Sequence, residues 1–274
     1  MIDRIAIRGV GKTFDDGRRP PKEVLRGVDF GVRPNEFVSI VGHSGAGKTT
    51  LLRVIAGLET PTEGSVEVDG KPISGPPREI ALIFQDYGRS LYPWLTVNDN
   101  ITLPLRSKHS AAATRAAEAK KALDAVGLPD CGHQYPWQLS GGMQQRVAIA
   151  RALAYGPEAL LMDEPFASVD AQTRSDLEDL VLDIRREYEM TVLLVTHDID
   201  ESVYMADRIL VLGGRPTGVA DIIPVDLPPE RDQLSTKSTP EFTALRAQVL
   251  KAVRSSKEMT EKSADNTPES VSVS

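Results

Sequence analysis

The chain has 274 residues and a formal net charge of −7, enough for one large or two modest domains with a substantial core. Its acidic balance argues against a general nucleic-acid binder. The single cysteine, Cys131, excludes an internal disulfide and a cysteine metal cluster, and reads as a packing residue in a reducing compartment. No apolar run approaches the roughly 20 residues that span a bilayer, and the opening Met1-Ile2-Asp3-Arg4-Ile5 lacks the core of a signal peptide. The chain is therefore expected in the cytoplasm, with any membrane role supplied by a partner.

Taken in order, Ile5 and Ile7 alternate with polar residues, so 4–10 reads as a strand. A turn-rich stretch follows through Pro20-Pro21, and Val28, Phe30 and Val32 alternate in a second strand. Phe14 lies between them, either as a satellite core residue or as a flat ring that stacks on adenine. Phe37–Val41 is a β-branched apolar run that reads as a buried strand. Gly42-His43-Ser44-Gly45-Ala46-Gly47-Lys48-Thr49 comes next and matches the phosphate-cradling pattern G-x-x-x-x-G-K-[ST]. Thr49, Thr50 and the residues to Ala56 continue as a helix that stops at Gly57. Small residues let backbone N–H groups approach phosphate oxygens, and a helix N-terminus adds partial positive charge there. Lys48 can then reach the β- and γ-phosphates, and the Thr49 hydroxyl can ligate Mg²⁺.

Gly64–Gly70 predicts a strand closed by an Asp-Gly turn. Ile80–Phe84 predicts a further strand, closed by Gln85, a cap that a phosphate-binding protein can place near the metal. Beyond it the strand–helix alternation breaks. Residues 90–155 read as an inserted helical subdomain, with an alanine-rich helix from Ser110 to Val126. Tyr92, Pro93 and Trp94 are either its core or a docking surface. Ser140-Gly141-Gly142 opens a helix that runs from Gln144 to Ala154, which makes a second anion nest in the same chain.

Ala159–Met162 reads as a buried strand that delivers Asp163 and Glu164 at its C-terminal end, where open parallel sheets bind ligands. One carboxylate suits Mg²⁺, held through water; the other suits proton abstraction from attacking water. Asp170 precedes a mixed-charge helix to Glu189. Thr191–Val195 is the next strand and ends at His197, in a position that favours a functional histidine. Ile199–Met205 reads as a short helix, Ile209–Leu212 as the last core strand, and Val219–Val225 as the return of a hairpin. Phe242, Leu245, Val249 and Val253 predict an amphipathic helix over 240–254. From Ser255 little apolar surface remains, and disorder is expected.

The order of these elements resembles the ATP-binding subunit of ABC transporters, over roughly residues 2–230. The Leu139-Ser140-Gly141-Gly142 element separates that family from other phosphate-loop proteins. The resemblance implies an α/β fold of the P-loop NTPase (ABC ATPase) type: a mixed, largely parallel core sheet, an N-terminal antiparallel β-subdomain and the inserted helices. It implies ATP and Mg²⁺ as ligands. It also implies a head-to-tail dimer with a second copy or a homologous subunit, ATP lying between Gly42–Thr50 of one chain and Ser140–Gly142 of the other.

Carried over residue by residue, Phe14 matches the adenine-stacking ring, and Lys48 the contact to the β/γ-phosphates. Thr49 and Gln85 match metal ligands, and Asp163 the residue that orders the metal shell. Glu164 matches the catalytic base, His197 the γ-phosphate sensor and Asp170 the link between the two sites. Tyr87–Trp94 lies where the family docks two transmembrane permease subunits, an external solute-binding protein acting indirectly. That implies a peripheral location on the cytoplasmic face of the membrane. Met143 and Ala167-Ser168-Val169 depart from the usual residues. Within the family, Gln85–Val97 and Leu139–Arg146 look like the nitrate/sulfonate/taurine importer branch, with pyrimidine and bicarbonate importers similar. The alternative is a soluble ABC ATPase acting on nucleic acid or ribosomes, against which stand the acidic charge and the lack of sustained heptads between Lys48 and Asp163.

Overall fold

A computed structural model describes residues 2–85, 90–108 and 111–265. Two sheets organise it. The first is antiparallel, in the order β2-β1-β4-β5, from β1 (Ile5–Phe14), β2 (Lys22–Val32), β4 (Glu63–Val68) and β5 (Lys71–Pro72). The second has the order β10-β9-β3-β8-β7-β6. Its strands are β3 (Phe37–Gly42), β6 (Ile80–Ile83), β7 (Ala159–Asp163), β8 (Thr191–Val195), β9 (Arg208–Gly213) and β10 (Gly218–Pro224). All its pairings are parallel except that of the edge strand β10.

The apolar runs at β3, β7, β8 and β9 have a simple cause. Successive side chains point to opposite faces, and both faces of this sheet are covered. Val38, Ile40, Leu161, Leu193, Leu210 and Leu212 face one core, shared with the antiparallel sheet and with α1 (Lys48–Ile55). Phe37, Val41, Leu160, Met162, Leu194 and Val211 face the other core, on the helical side. Leu51, Leu52, Val54 and Ile55 of α1 are buried between the two sheets, so the helix behind the phosphate loop is clamped from both sides.

Among the described residues three α-helices lie between β6 and β7 in the chain. They are α2 (Val97–Leu105), α3 (Ala112–Ala125) and α4 (Gly141–Ala154), whose Ile101, Leu105, Leu123, Val147 and Ile149 interlock in the helical-side core. Then follow α5 (Ala171–Glu187), α6 (Ile199–Met205) and α7 (Pro240–Asp265). The Asp-Gly turn is also present: Asp69 and Gly70 both have positive φ, 51° and 72°, as a two-residue hairpin loop requires. Among the described residues no helix is long and apolar enough to cross a membrane.

Three expectations need correcting. The first strand runs to Phe14, not to 10, so Phe14 ends a strand rather than sitting in a loop. Register shifts between Ile7, Val10 and Lys12 disturb the alternation that marks a strand. The helix that Ser140 caps begins at Gly141 rather than at Gln144. The C-terminal helix does not fray into disorder after Arg254 but continues to Asp265. Ser256 there is fully buried, because Gly213 admits it: a Cβ on Gly213 would lie 2.4 Å from that of Ser256. Ser110, Tyr87, Gly88, Arg89 and residues 266–274 lie outside the described residues.

Candidate functional site

The C-terminal ends of β3, β7 and β8 meet at one cleft, of about 750 Å³. It is lined by Ser44–Thr50 together with Phe14, Glu164 and His197. Gly45 and Gly47 have φ of 81° and 72°, a left-handed backbone that side-chain-bearing residues avoid. The loop therefore wraps inward and hands the chain to α1. Lys48 is 7 % exposed, and its Nζ donates to Gly42 O at 3.0 Å and His43 O at 3.3 Å. Gly42 and His43 are thus the floor of the loop and not part of the cleft lining. Burial pulls the Lys48 ammonium below the usual lysine range, opposed by the Glu164 and Asp163 carboxylates.

Asp163 ends β7 almost fully buried, and the Thr49 hydroxyl donates to its Oδ1 at 3.2 Å. Burial raises the Asp163 carboxyl, and the Thr49 hydrogen bond opposes that rise. Glu164 follows with φ of 45°, a strained value for a residue with a side chain. Its N–H donates to Val195 O at 2.8 Å, which pins the strained residue to β8. The same Oε2 of Glu164 accepts from Gln85 Nε2 at 3.3 Å and lies 3.0 Å from His197 Nδ1. A carboxylate only accepts, so Nδ1 carries the proton in that contact. Gln85, Glu164 and His197, distant in sequence, are one cluster.

Phe14 is half exposed, and Lys12 Nζ sits 4.8 Å from its ring centroid. The ring lines the cleft together with Lys22 and Val24, two residues that sequence reasoning passed over. Their signal was faint: an exposed lysine and an isolated valine look like ordinary strand residues.

Ser140–Gly142 and Asp170 are not brought to this cleft. Ser140 caps α4, its Oγ accepting from Met143 N at 3.3 Å. Asp170 caps α5, accepting from Thr173 N at 3.0 Å and from the Thr173 hydroxyl at 2.7 Å. The two caps touch: a Cβ on Gly142 would fall 2.4 Å from Thr173 Cγ2. Met143, one of the departures, packs on the helical-side core, as does Val169.

A second feature escaped the sequence. Glu201 is 4 % exposed, and burial pushes its carboxyl up to about 8 against a Thr196 hydrogen bond. It shares a small cavity of about 40 Å³ with Glu164, His197 and Arg174. Nothing in the local pattern separates Glu201 from the acidic first turn of a capped surface helix.

A second, more apolar groove of about 380 Å³ lies between the core sheet and the inserted helices. Ala81 and Leu82 of β6, Leu103 and Pro104 of α2, Tyr92 and Arg151 line it. Trp94 stands beside Tyr92, ring centroids 5.5 Å apart, and is 70 % exposed.

Comparison with known proteins agrees with this geometry. The ABC transporter family model matches residues 25–167. An aliphatic sulfonates import ATP-binding protein, SsuB of Bacillus licheniformis, is 44 % identical over 247 residues, covering 90 % of this chain and 93 % of the relative. A nitrate import ATP-binding protein, NrtD of a Synechocystis strain, is 41 % identical over 231 residues, covering 82 % and 86 %. Among solved structures, a dimeric post-hydrolysis ATP-binding cassette bound to ADP and Pi superposes with a TM-score of 0.71 at 33 % identity, covering 81 % of this chain and 99 % of that one. On its fold, its phosphate loop and these matches, the chain belongs to the ABC transporter family, among its ATP-hydrolysing, ATP-binding proteins.

Proposed function

We propose that this chain is the ATPase subunit of an importer for a small anion of the sulfonate or nitrate kind. The observation that carries the catalytic part is the Glu164 carboxylate held by both Gln85 and His197 at the rim of the phosphate-loop cleft. Lys48 and the loop amides hold the β- and γ-phosphates of ATP. Glu164 takes a proton from the attacking water, whose oxygen bonds to the γ-phosphorus as the bond to the β–γ bridging oxygen breaks. ADP and phosphate leave. His197 orients the transferred phosphoryl group, and Phe14 offers a ring for the adenine.

The donor set reached from Thr49 and Glu164 of the cleft fits Mg²⁺. Thr49 supplies a hydroxyl, Gln85 an amide oxygen and Asp163 a buried carboxylate, and Mg²⁺ takes few carboxylates together with water and phosphate oxygens. When bound, the metal neutralises charge on the phosphates.

The Gly42–Thr49 nest lines the cleft, and Ser140–Gly142 does not. This supports a head-to-tail pair of chains, with ATP between the loop of one and the Ser140–Gly142 helix of the other. The apolar groove beside Tyr92 and Trp94 supports docking of a membrane permease and, with it, a position at the inner face of the membrane. A solute-binding protein outside would deliver the anion. Recovery of the chain from membranes together with a permease, lost in Trp94→Glu while ATP hydrolysis persists, is the expected result. Co-purification that survives Trp94→Glu sinks the docking assignment. Recovery with ribosomes or nucleic acid instead of a permease sinks the importer.

A further inference from the structure

The end of α7 touches the phosphate loop. Thr260 Oγ1 lies 3.1 Å from Nε2 of His43, the second residue of that loop. It also accepts from Gly214 N at 3.1 Å and donates to Ser256 O at 2.9 Å. One turn earlier, Ser256 is fully buried against Gly213. Gly213 and Gly214 form the exit of β9, and β9 pairs with β3 up to Gly42↔Leu212, immediately before the loop. The helix is therefore anchored on two consecutive turns at the strand exit that borders the nucleotide cleft.

His43 transmits this contact. Its Nδ1 lies 2.8 Å from Ser44 O, a carbonyl that only accepts, so Nδ1 carries a proton. Its own carbonyl receives the Lys48 ammonium at 3.3 Å. The ring is thus tied to the loop backbone on one side and to α7 on the other. The hydroxyl has one proton to share between Nε2 and Ser256 O, and the His43–Thr260 hydrogen bond survives in either protonation state of the ring. In the neutral ring, Nε2 accepts the Thr260 hydroxyl proton. In the charged ring, Nε2–H donates to Thr260 and the hydroxyl turns to Ser256 O.

We propose that Thr260 is a positioning residue for ATP: through His43, α7 holds the phosphate loop in the shape that receives the triphosphate. This rests on the assignment of ATP to the Gly42–Thr49 loop. Thr260 touches no reacting atom. Its loss loosens the loop before nucleotide arrives, so affinity falls while the chemical step, which belongs to Glu164, is kept. A hydrogen bond of ordinary net strength corresponds to a change of about two- to tenfold.

The test is steady-state ATP hydrolysis and ATP affinity of the full chain carrying Thr260→Val, which keeps the shape and removes the hydroxyl. The expected result is a KM for ATP raised by about two- to tenfold, with kcat and Tm near wild type. Thr260→Ser should restore KM. In a His43→Ala background, Thr260→Val should add nothing further, because the link is already cut. An unchanged KM in Thr260→Val overturns the proposal. So does a joint fall of kcat and Tm that Thr260→Ser fails to rescue, since that describes a helix that merely stabilises the fold. So does a full additional KM effect in the His43→Ala background. Lys48→Ala separates the two levels. If it lowers ATP affinity while Thr260→Val does not, the proposal fails alone. Wild-type affinity in Lys48→Ala removes ATP from the loop and takes both down.

Discussion

The two glycine-rich nests of this chain are built on opposite plans. The Gly42–Thr49 loop is set between the end of β3 and a helix buried on both sides, and its lysine is folded inward onto its own carbonyls. The Ser140–Gly142 nest is an exposed helix start, and its Gly142 lies against the capped start of another helix. The first is supported by the core of its own chain. The second is presented at the surface, with Gly142 against Thr173, and Asp170 holds Thr173. A buried nest and a presented nest on one polypeptide can be separated by mutation, and the predicted effects differ in kind.

The largest effect is expected at the buried nest. Glu164→Gln keeps the shape of the side chain and the contact to His197 but removes the proton acceptor. It should lower kcat by roughly 10²–10⁴ with ATP binding retained, the range for loss of a general base. Turnover assays with a parallel binding titration measure the split. Unchanged kcat would remove Glu164 from the chemistry and leave its strained backbone unexplained.

The presented nest should respond differently. Gly142→Ala puts a methyl group into Thr173 Cγ2, so the two helix starts must part. Overpacking of that kind costs about 1–3 kcal/mol, or roughly five- to 150-fold. It is expected in kcat, with ATP affinity of the isolated chain near wild type. Thr173→Ser in the same chain removes the clashing methyl but keeps the hydroxyl that donates to Asp170, so it should recover most of the loss. A Gly142→Ala variant that weakens ATP binding as much as turnover would erase the distinction between the nests.

What could be read from the chain follows the same physics. Strands buried on both faces leave unbroken apolar runs, so β3, β7, β8 and β9 were legible to within a residue, and with them the positions of Lys48, Asp163 and His197. The loop itself was legible because phosphate contact demands particular small residues in order. Illegible features are those whose cause lies far away in sequence. The outer half of β1 is hidden by its register shifts. The last turns of α7 hold Ser256 and Thr260, residues that look solvated until Gly213 and Gly214 are seen beneath them. The lysine against Phe14 and the groove beside Trp94 are products of folding, with no local pattern of their own.

The last expected effect lies behind the buried nest, leaves the chemical step untouched and is a matter of stability rather than rate. Glu201 faces Thr196, Arg174, Asp198 and Glu178, and burial outweighs the favourable contacts, so its carboxyl titrates near 8 in the folded chain against 4.5 as the ordinary value. The folded state therefore holds a proton that the unfolded state has released across the window from about 4.5 to 8. Below that window both states are protonated and the residue is neutral to stability. As pH rises through it, the unfolded chain gains from ionisation and the folded chain does not, so stability falls by up to about 1.4 kcal/mol per pH unit. Glu201→Gln mimics the neutral acid and cannot ionise. It should match wild type in thermal melts near pH 5 and exceed it near pH 8, by roughly 2–4 °C for each kcal/mol. Parallel pH profiles for the two proteins would mean that Glu201 is already charged when folded. The small cavity that Glu201 lines with Glu164, His197 and Arg174 would then carry the charge of Glu201.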